Sequence, residues 1–181
     1  MYCGSNKTAL QSQRQIARAM MALIQEKPYA QITVSELCRA AGISRQTFYT
    51  LFTSRENVVV FTLQAQYCDS PEIALPGEGE RGGALEWLCR AYSEYILKNR
   101  RLIKLLVDNR IDHLLYDSFF EAMDSCDCFM AQADHCVRSY AASFYAGGIA
   151  CVARRYAQEG CTTTADELRT LLETLLTGRL L

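Results

Sequence analysis

Residues 32–58 read ITVSELCRAAGISRQTFYTLFTSRENV, and the spacing inside this run predicts two helices joined by a three-residue turn. Ile32, Thr33 and Val34 are short and mostly β-branched, but Thr33 with Glu36 three positions on forms a capping box, so a helix is expected from Val34 to near Ala41. Gly42 stands where a left-handed residue closes a helix, Ile43 is an apolar plug in the turn, and Ser44 can cap the next helix, Arg45 to Leu51. Val34, Leu37, Ala41, Ile43, Phe48 and Leu51 occupy the positions that a helix-turn-helix keeps apolar, and Cys38 falls where a small side chain lets the helices cross. The second helix then turns Arg45, Gln46, Thr47, Tyr49 and Thr50 away from the core. These residue types read base edges and grip phosphate, Arg pairing with guanine and Gln with adenine. A structural hairpin with a solvated polar face would carry acid there as well, and the segment from Arg45 to Arg55 has none.

Upstream, Ile16, Met20, Leu23 and Ile24 recur at helical spacing and Pro28 halts the run, which places a first helix from Ala9 to Lys27. Downstream, Thr53 with Glu56 makes a second capping box, opening a helix through Val58, Val59, Phe61, Leu63 and Tyr67. Residues 1–55 hold seven basic side chains against Glu26 and Glu36, a net +5, while the remaining 12 basic and 18 acidic residues leave the rest at −6. A basic first third on an acidic remainder fits a nucleic-acid contact confined to one end.

Periodicity stops at Asp69, and the stretch to Gly83 with Pro71, Pro76 and four glycines reads as a linker. The expected division is a flexible N-terminus (1–8), a helix-turn-helix domain (9–53), a connecting helix (54–68), the linker (69–83) and a helical body (84–181). In the body Leu85, Leu88, Tyr92, Tyr95 and Ile96 make one apolar stripe, and a short helix follows from Leu102 to Val107. The stretch from Ile111 to about Ala133 carries Leu114, Leu115, Phe119, Phe120, Met123 and Phe129, in a chain expected to stay helical to its end. A long helix from Val137 to Gln158 is closed by Gly160, and Thr164 with Glu167 caps a last one.

The 181 residues are 50% hydrophobic and 22% charged, with ten Gly and three Pro, the balance of a globular helical protein and not of a disordered or collagenous one. The length excludes a solenoid or a large barrel enzyme. No apolar run approaches the ~20 residues of a membrane span, and the segment from Met1 to Leu10 is polar, so a cytoplasmic chain with its nine cysteines reduced is expected, without membrane contact. With His113 and His135 alone, and no Gly-rich phosphate loop, HExxH or G-x-S-x-G, nothing assembles a nucleophile with a base. The chain is therefore read as no enzyme, with no cofactor and no metal. Cys126, Cys128, His135 and Cys136 fall within eleven residues and are the ligand types of a soft metal or a thiol sensor. Their spacing matches no standard zinc signature, and residues 126 and 128 would face different sides of a helix, so ordinary cysteines are expected and a redox or metal role stays the alternative.

The run from Ile32 to Val58 resembles the signature of the TetR family of bacterial transcriptional regulators, a likeness that covers roughly residues 9–63. The resemblance implies an all-α subunit: a three-helix DNA-binding head, a connecting fourth helix, and a variable effector-binding body that dimerises through its last two helices. Carried over by position, Thr33, Ser44, Thr47, Tyr49 and Arg55 would position phosphate, and Arg45 and Gln46 would read bases, with Thr50 on the same face. Leu51 stands where the family often has His or Tyr, which removes one backbone contact, and Arg55 replaces the usual Lys, keeping the charge and adding a bidentate fork. The segment from Phe144 to Tyr156 also looks like the penultimate helix of one branch of the family, in which some members act with a protein partner.

A last helix with Leu168, Leu171, Leu172, Leu175 and Leu176 on one broad face would expose a large apolar patch, which soluble monomers rarely tolerate. With Gly147, Gly148 and Cys151 on the helix before it, two copies could form a four-helix interface. Such a homodimer would set two recognition helices ~34–36 Å apart on a palindromic operator. Trp87, Tyr92, Tyr95, Tyr116, Phe119, Phe120, Tyr140 and Phe144 are core candidates that could also line a cavity for a largely apolar effector. The expected function is a homodimeric repressor released from double-stranded DNA by a small-molecule or protein effector. The alternative is a thiol or metal sensor, or a partner-binding regulator.

Overall fold

A computed structural model describes residues 6–68, 84–126 and 129–177, and every regular element in them is helical. The expected linker 69–83 and Cys128 lie outside the described residues. Two compact units divide the chain, Met1–Ala65 and Gln66–Leu181.

In the first unit, helix α1 (Lys7–Glu26) begins two residues before the expected Ala9, because Asn6 Oδ1 accepts from the Thr8 and Ala9 amides at 2.9 and 3.4 Å. Residues 7 and 8, placed with a flexible N-terminus by sequence, are thus the first turn of a helix. Lys27 is extended, as the residue before a proline must be, and one 3-10 turn follows (Tyr29–Gln31). Helix α2 (Val34–Ala41) is capped by Thr33, whose Oγ1 accepts from the Glu36 amide at 3.2 Å. It closes at Gly42, with φ +67°, where the Ile43 amide reaches back to the Cys38 carbonyl at 3.0 Å. Helix α3 (Arg45–Leu51) is capped by Ser44 Oγ, 3.0 Å from the Thr47 amide.

Helix α4 (Arg55–Cys68) departs from expectation at its start. The acceptor for the Asn57 amide is Ser54 Oγ at 3.3 Å, while the Thr53 hydroxyl bonds the Asn57 side chain. Thr53 and Glu56 make no box because the helix starts one residue later, with Ser54 as its cap, and the Glu56 carboxylate accepts from the Tyr29 hydroxyl at 2.8 Å.

Ile16, Met20, Ile32, Leu37 and Phe48 are fully buried in this unit, and α1 packs on α2 and α2 on α3. Phe52 meets Phe48 at 6.0 Å and Phe61 edge-on at 5.6 Å, fixing α3 and α4 around one aromatic cluster.

The second unit holds α5 (Ala84–Lys98), α6 (Arg100–Asp108), α7 (His113–Asp124), α8 (His135–Gln158) and α9 (Ala165–Thr177). Helix α8 contacts α6, α7 and α9, and α5 packs along α9. The inner side of α8 is mostly alanine: Ala142, Ala146, Ala150 and Ala153 are buried with Ile149, so neighbouring helices approach closely. Arg154 pairs with Asp112 at 2.5 Å, and Arg138 Nη2 donates to the Asp124 and Cys126 carbonyls at 3.0 and 2.9 Å, tying both ends of α7 to α8.

The stretch expected to stay helical past Asp124 leaves the helix instead. Ser125 Oγ bonds back to the Glu121 carbonyl at 2.6 Å, Met130 turns left-handed at φ +48°, and Asp134 Oδ1 restarts the helix on the Val137 amide at 3.0 Å. The cap of α9 forms as expected. The Thr164 amide donates to Glu167 Oε2 at 2.8 Å and the Glu167 amide returns to Thr164 Oγ1 at 3.4 Å. Among the described residues no helix is long and apolar enough to cross a membrane.

A Cβ on Gly42 would meet no atom within 4 Å, so substitution there tests backbone strain alone. Gly42→Ala is expected to lower unfolding free energy by about 1 kcal/mol, and Gly42→Asn by less, since Asn visits the left-handed region more readily. Urea unfolding followed by circular dichroism reads both; equal stability of Gly42→Ala and the parent would contradict it.

Candidate nucleic-acid interface

Helix α3 is seven residues long, too short to hold itself, and is kept by its cap and its buried side. Phe48 and Leu51 point into the core, which turns Arg45, Gln46, Tyr49 and Thr50 outward as one exposed face. Tyr49 is 52% exposed, with its ring edge-on to Phe48 at 5.3 Å. Thr47 is half-buried, its hydroxyl 2.9 Å from that of Ser44, and Thr50 Oγ1 donates to the Gln46 carbonyl at 3.0 Å. Ser44 and Thr33 are thus used as helix caps and sit exposed at the starts of α3 and α2. Arg14, Arg18 and Arg39 add exposed cations to the same unit.

Residues 16–60 match the family model for bacterial regulatory proteins of the tetR family. The head belongs to the tetR family. Within it the chain is 33% identical over 63 residues to the dhaKLM operon transcriptional activator DhaS of Lactococcus lactis, covering 35% of this chain and 34% of that protein. It is 42% identical over 53 residues to the transcriptional regulator EthR of Mycobacterium tuberculosis, covering 29% of this chain and 24% of EthR. These matches span about a third or less of each relative's length. Over nearly the whole chain the fold is that of the crystal structure of Lin0861 from Listeria innocua, with a TM-score of 0.71 at 16% identity, covering 98% of this chain and 95% of that one. The described residues are therefore all-α, with a tetR-family helix-turn-helix head.

The tetR-family head holds Arg55 differently from the other residues of the resemblance. Its Nη1 donates to the Tyr29 carbonyl at 3.3 Å and to the Ile32 carbonyl, and its Cζ lies 4.8 Å over the Tyr29 ring. Tyr29 is buried and was not singled out by sequence, because its partners stand 26 and 27 residues downstream and no local spacing connects them.

In the body, Tyr92 and Tyr95 meet Phe119 edge-on at 5.1 and 5.8 Å and are buried with it. Tyr116 stacks on Phe120 at 5.9 Å near the surface, and Trp87 is half-buried. Tyr140 and Phe144, placed by sequence with these as ligand contacts, instead stand 76% and 66% exposed on the outer side of α8. The α9 leucines divide as well. Leu168 and Leu172 are buried within the unit, Leu176 Cδ2 lies 3.5 Å from the Cβ position of Gly148, and Leu171 and Leu175 face out, as do Cys151 and the open side of Gly147.

Cys38 and Cys89 are buried. Burial raises the pKa of the Cys38 thiol against the pull of Arg45, and burial with the charges of Glu173 and Glu86 pushes Cys89 up to about 11. Cys126 is half-buried and Cys136 exposed, and no group of three metal-ligating side chains occurs among the described residues.

Two head carboxylates titrate below their ordinary 4.5. The hydrogen bond from Lys27, at 2.5 Å, lowers Glu36 most; partial burial opposes it, and the Lys27 charge, the Thr33 amide and Arg39 assist. Burial opposes the charge on Glu56, but its own amide, the Tyr29 and Ser54 hydroxyls and Arg55 outweigh it. A depressed carboxylate stabilises the fold above its unfolded pKa and loses that contribution as pH falls through its folded one. The urea midpoint is therefore expected to fall as pH drops below about 4.5. The double variant Glu36→Gln, Glu56→Gln should start lower and drop less; a pH profile parallel to the parent's would refute the assignment.

Proposed function

We propose that the protein is a transcriptional regulator that binds a palindromic operator as a homodimer, represses by occupying it, and is released by an effector held in the body. The observation that carries the reading is the outward face of α3: Arg45, Gln46, Tyr49 and Thr50 exposed together at the tip of a tetR-family head, in a segment free of acid. Arg45 and Gln46 have the donor patterns for guanine and adenine edges, while Thr33, Ser44, Thr47 and Tyr49 suit phosphate. The matched heads of DhaS and EthR belong to proteins named as transcriptional regulators. DhaS is named an activator, so the sign of regulation is the part of the reading that a reporter assay decides.

Homodimerisation is supported by the apolar side chains left outside. Val137, Tyr140 and Phe144, continued by Gly147 and Cys151, follow one stripe of α8 at steps of three and four, and Leu171 and Leu175 stand exposed on α9. A patch of this kind calls for a partner, and a second copy of the same two helices is self-complementary. For the effector, the support is the aromatic body core around Phe119 together with Ser118, a buried hydroxyl whose Oγ meets no hydrogen-bond partner among the described residues. A ligand with an apolar frame and one polar group would satisfy it.

Selection of random duplex DNA on the purified chain, followed by sequencing, tests the reading. An enriched inverted repeat is the expected result, and retention without any enriched sequence would overturn it. On the selected duplex, Arg45→Ala should cost about 1–3 kcal/mol and relax preference at one base position of each half-site. For the dimer, Phe144→Asp with Leu175→Asp is expected to sediment as a folded monomer at micromolar concentration and to lose the inverted-repeat preference. A double variant that stays dimeric would move the interface elsewhere.

A further inference from the structure

The geometry points to Arg55 as a positioning residue: its guanidinium, seated on the Tyr29 ring and held to the Tyr29 and Ile32 carbonyls, sets the bend that delivers the start of α2 to DNA. This rests on the DNA-binding reading above and changes the role of one residue in it, since position in the resemblance gives Arg55 a phosphate.

Ile32 immediately precedes Thr33, the cap of α2, so whatever fixes the Ile32 carbonyl fixes where the first turn of α2 points. Arg55 reaches that carbonyl and the Tyr29 carbonyl with one nitrogen, while its Cζ lies over the Tyr29 ring, 4.8 Å from the centroid. A planar guanidinium on this stem makes both contacts together; a lysine there would offer a point charge without the fork. The ring is itself held, because the Tyr29 hydroxyl donates to Glu56 Oε1 at 2.8 Å, and Glu56 is the next residue on α4. Tyr29 is thus gripped by adjacent residues of one helix, its face and carbonyl by Arg55 and its hydroxyl by Glu56. On the far side of the same bend, Lys27 Nζ pairs with Glu36 Oε2 at 2.5 Å, so the end of α1 is tied to the first turn of α2. The capped end of α2, with Thr33 and Ser35 at the surface, is what this clamp orients, and Thr33 is one of the residues read above as suited to phosphate. A guanidinium committed to two carbonyls and a ring is half-buried and turned into the head.

Two charge arguments separate positioning from phosphate contact. Arg55→Lys keeps the charge and breaks the geometry. Glu56→Gln removes a negative charge, which by electrostatics alone would tighten DNA binding, but it weakens the hold on Tyr29. Affinity for the selected duplex is measured against salt for the parent, Arg55→Lys, Arg55→Gln and Glu56→Gln.

The expected result is that both Arg55 variants bind about tenfold more weakly with the parent's slope of log affinity on log salt, and that Glu56→Gln also weakens binding. Parent-like binding by Arg55→Lys, with Arg55→Gln losing about one unit of salt slope, would overturn the inference and restore the phosphate contact. Amide exchange in the free protein reads the clamp independently of DNA. The Glu36 and Leu37 amides, bonded to Thr33, should exchange faster in Arg55→Lys while those of α1 and α3 hold, whereas uniform loosening or no change overturns it. Should the parent retain no duplex at any salt, the DNA reading falls and the exchange result alone decides the clamp.

Discussion

With φ at +67°, Gly42 ends α2 and lets the Ile43 amide return to the Cys38 carbonyl, and the direction in which α3 departs follows from that closure. A side chain at this position would strain the backbone, and a helix leaving at another angle could not bury Phe48 and Leu51 together. Because those two are buried, the opposite face of α3 has to be presented. Arg45, Gln46, Tyr49 and Thr50 are outward by the geometry of a helix whose other side is occupied. The outward polar face of α3 is therefore a consequence of the core, and its placement depends on caps at both helix starts, Thr33 for α2 and Ser44 for α3.

Helix α8 plays the corresponding part in the body. Its alanine side accommodates α6 and α7, and its outer side carries Tyr140 and Phe144 in the open. A helix that is apolar on two sides has no single buried stripe, so its sequence does not announce which side meets the subunit's own core. Small residues turn inward where neighbouring helices crowd α8. The bulky aromatics are left outside, where an interface between copies would cover them.

Local signals carried most of the head. The box of Thr33 with Glu36, the serine cap of α3, the glycine closure between them and the later box of Thr164 with Glu167 all involve groups within five residues of one another, and each forms as its spacing predicts. The box read at Thr53 with Glu56 uses the same residue types and does not form. Helix α4 starts one residue later with Ser54 as its cap, and the Glu56 carboxylate meets the hydroxyl of Tyr29, 27 residues upstream. Among the aromatics, spacing placed Tyr92, Tyr95, Phe119, Tyr140 and Phe144 on helices but did not sort them. The first three pack against one another and the last two face solvent.

The amino-acid sequence by itself determined the helices, the helix-turn-helix and its polar face, because caps, turns and 3.6-residue periodicity are interactions between near neighbours in the chain. Tertiary structure decided the rest: that Arg55 and Glu56 grip Tyr29, that Leu168 and Leu172 turn inward while Leu171 and Leu175 do not, and that the helix after Asp124 breaks before Asp134. Those outcomes depend on which distant groups compete for one carboxylate, one carbonyl or one patch of core, and such competition is resolved only when the chain has folded around it.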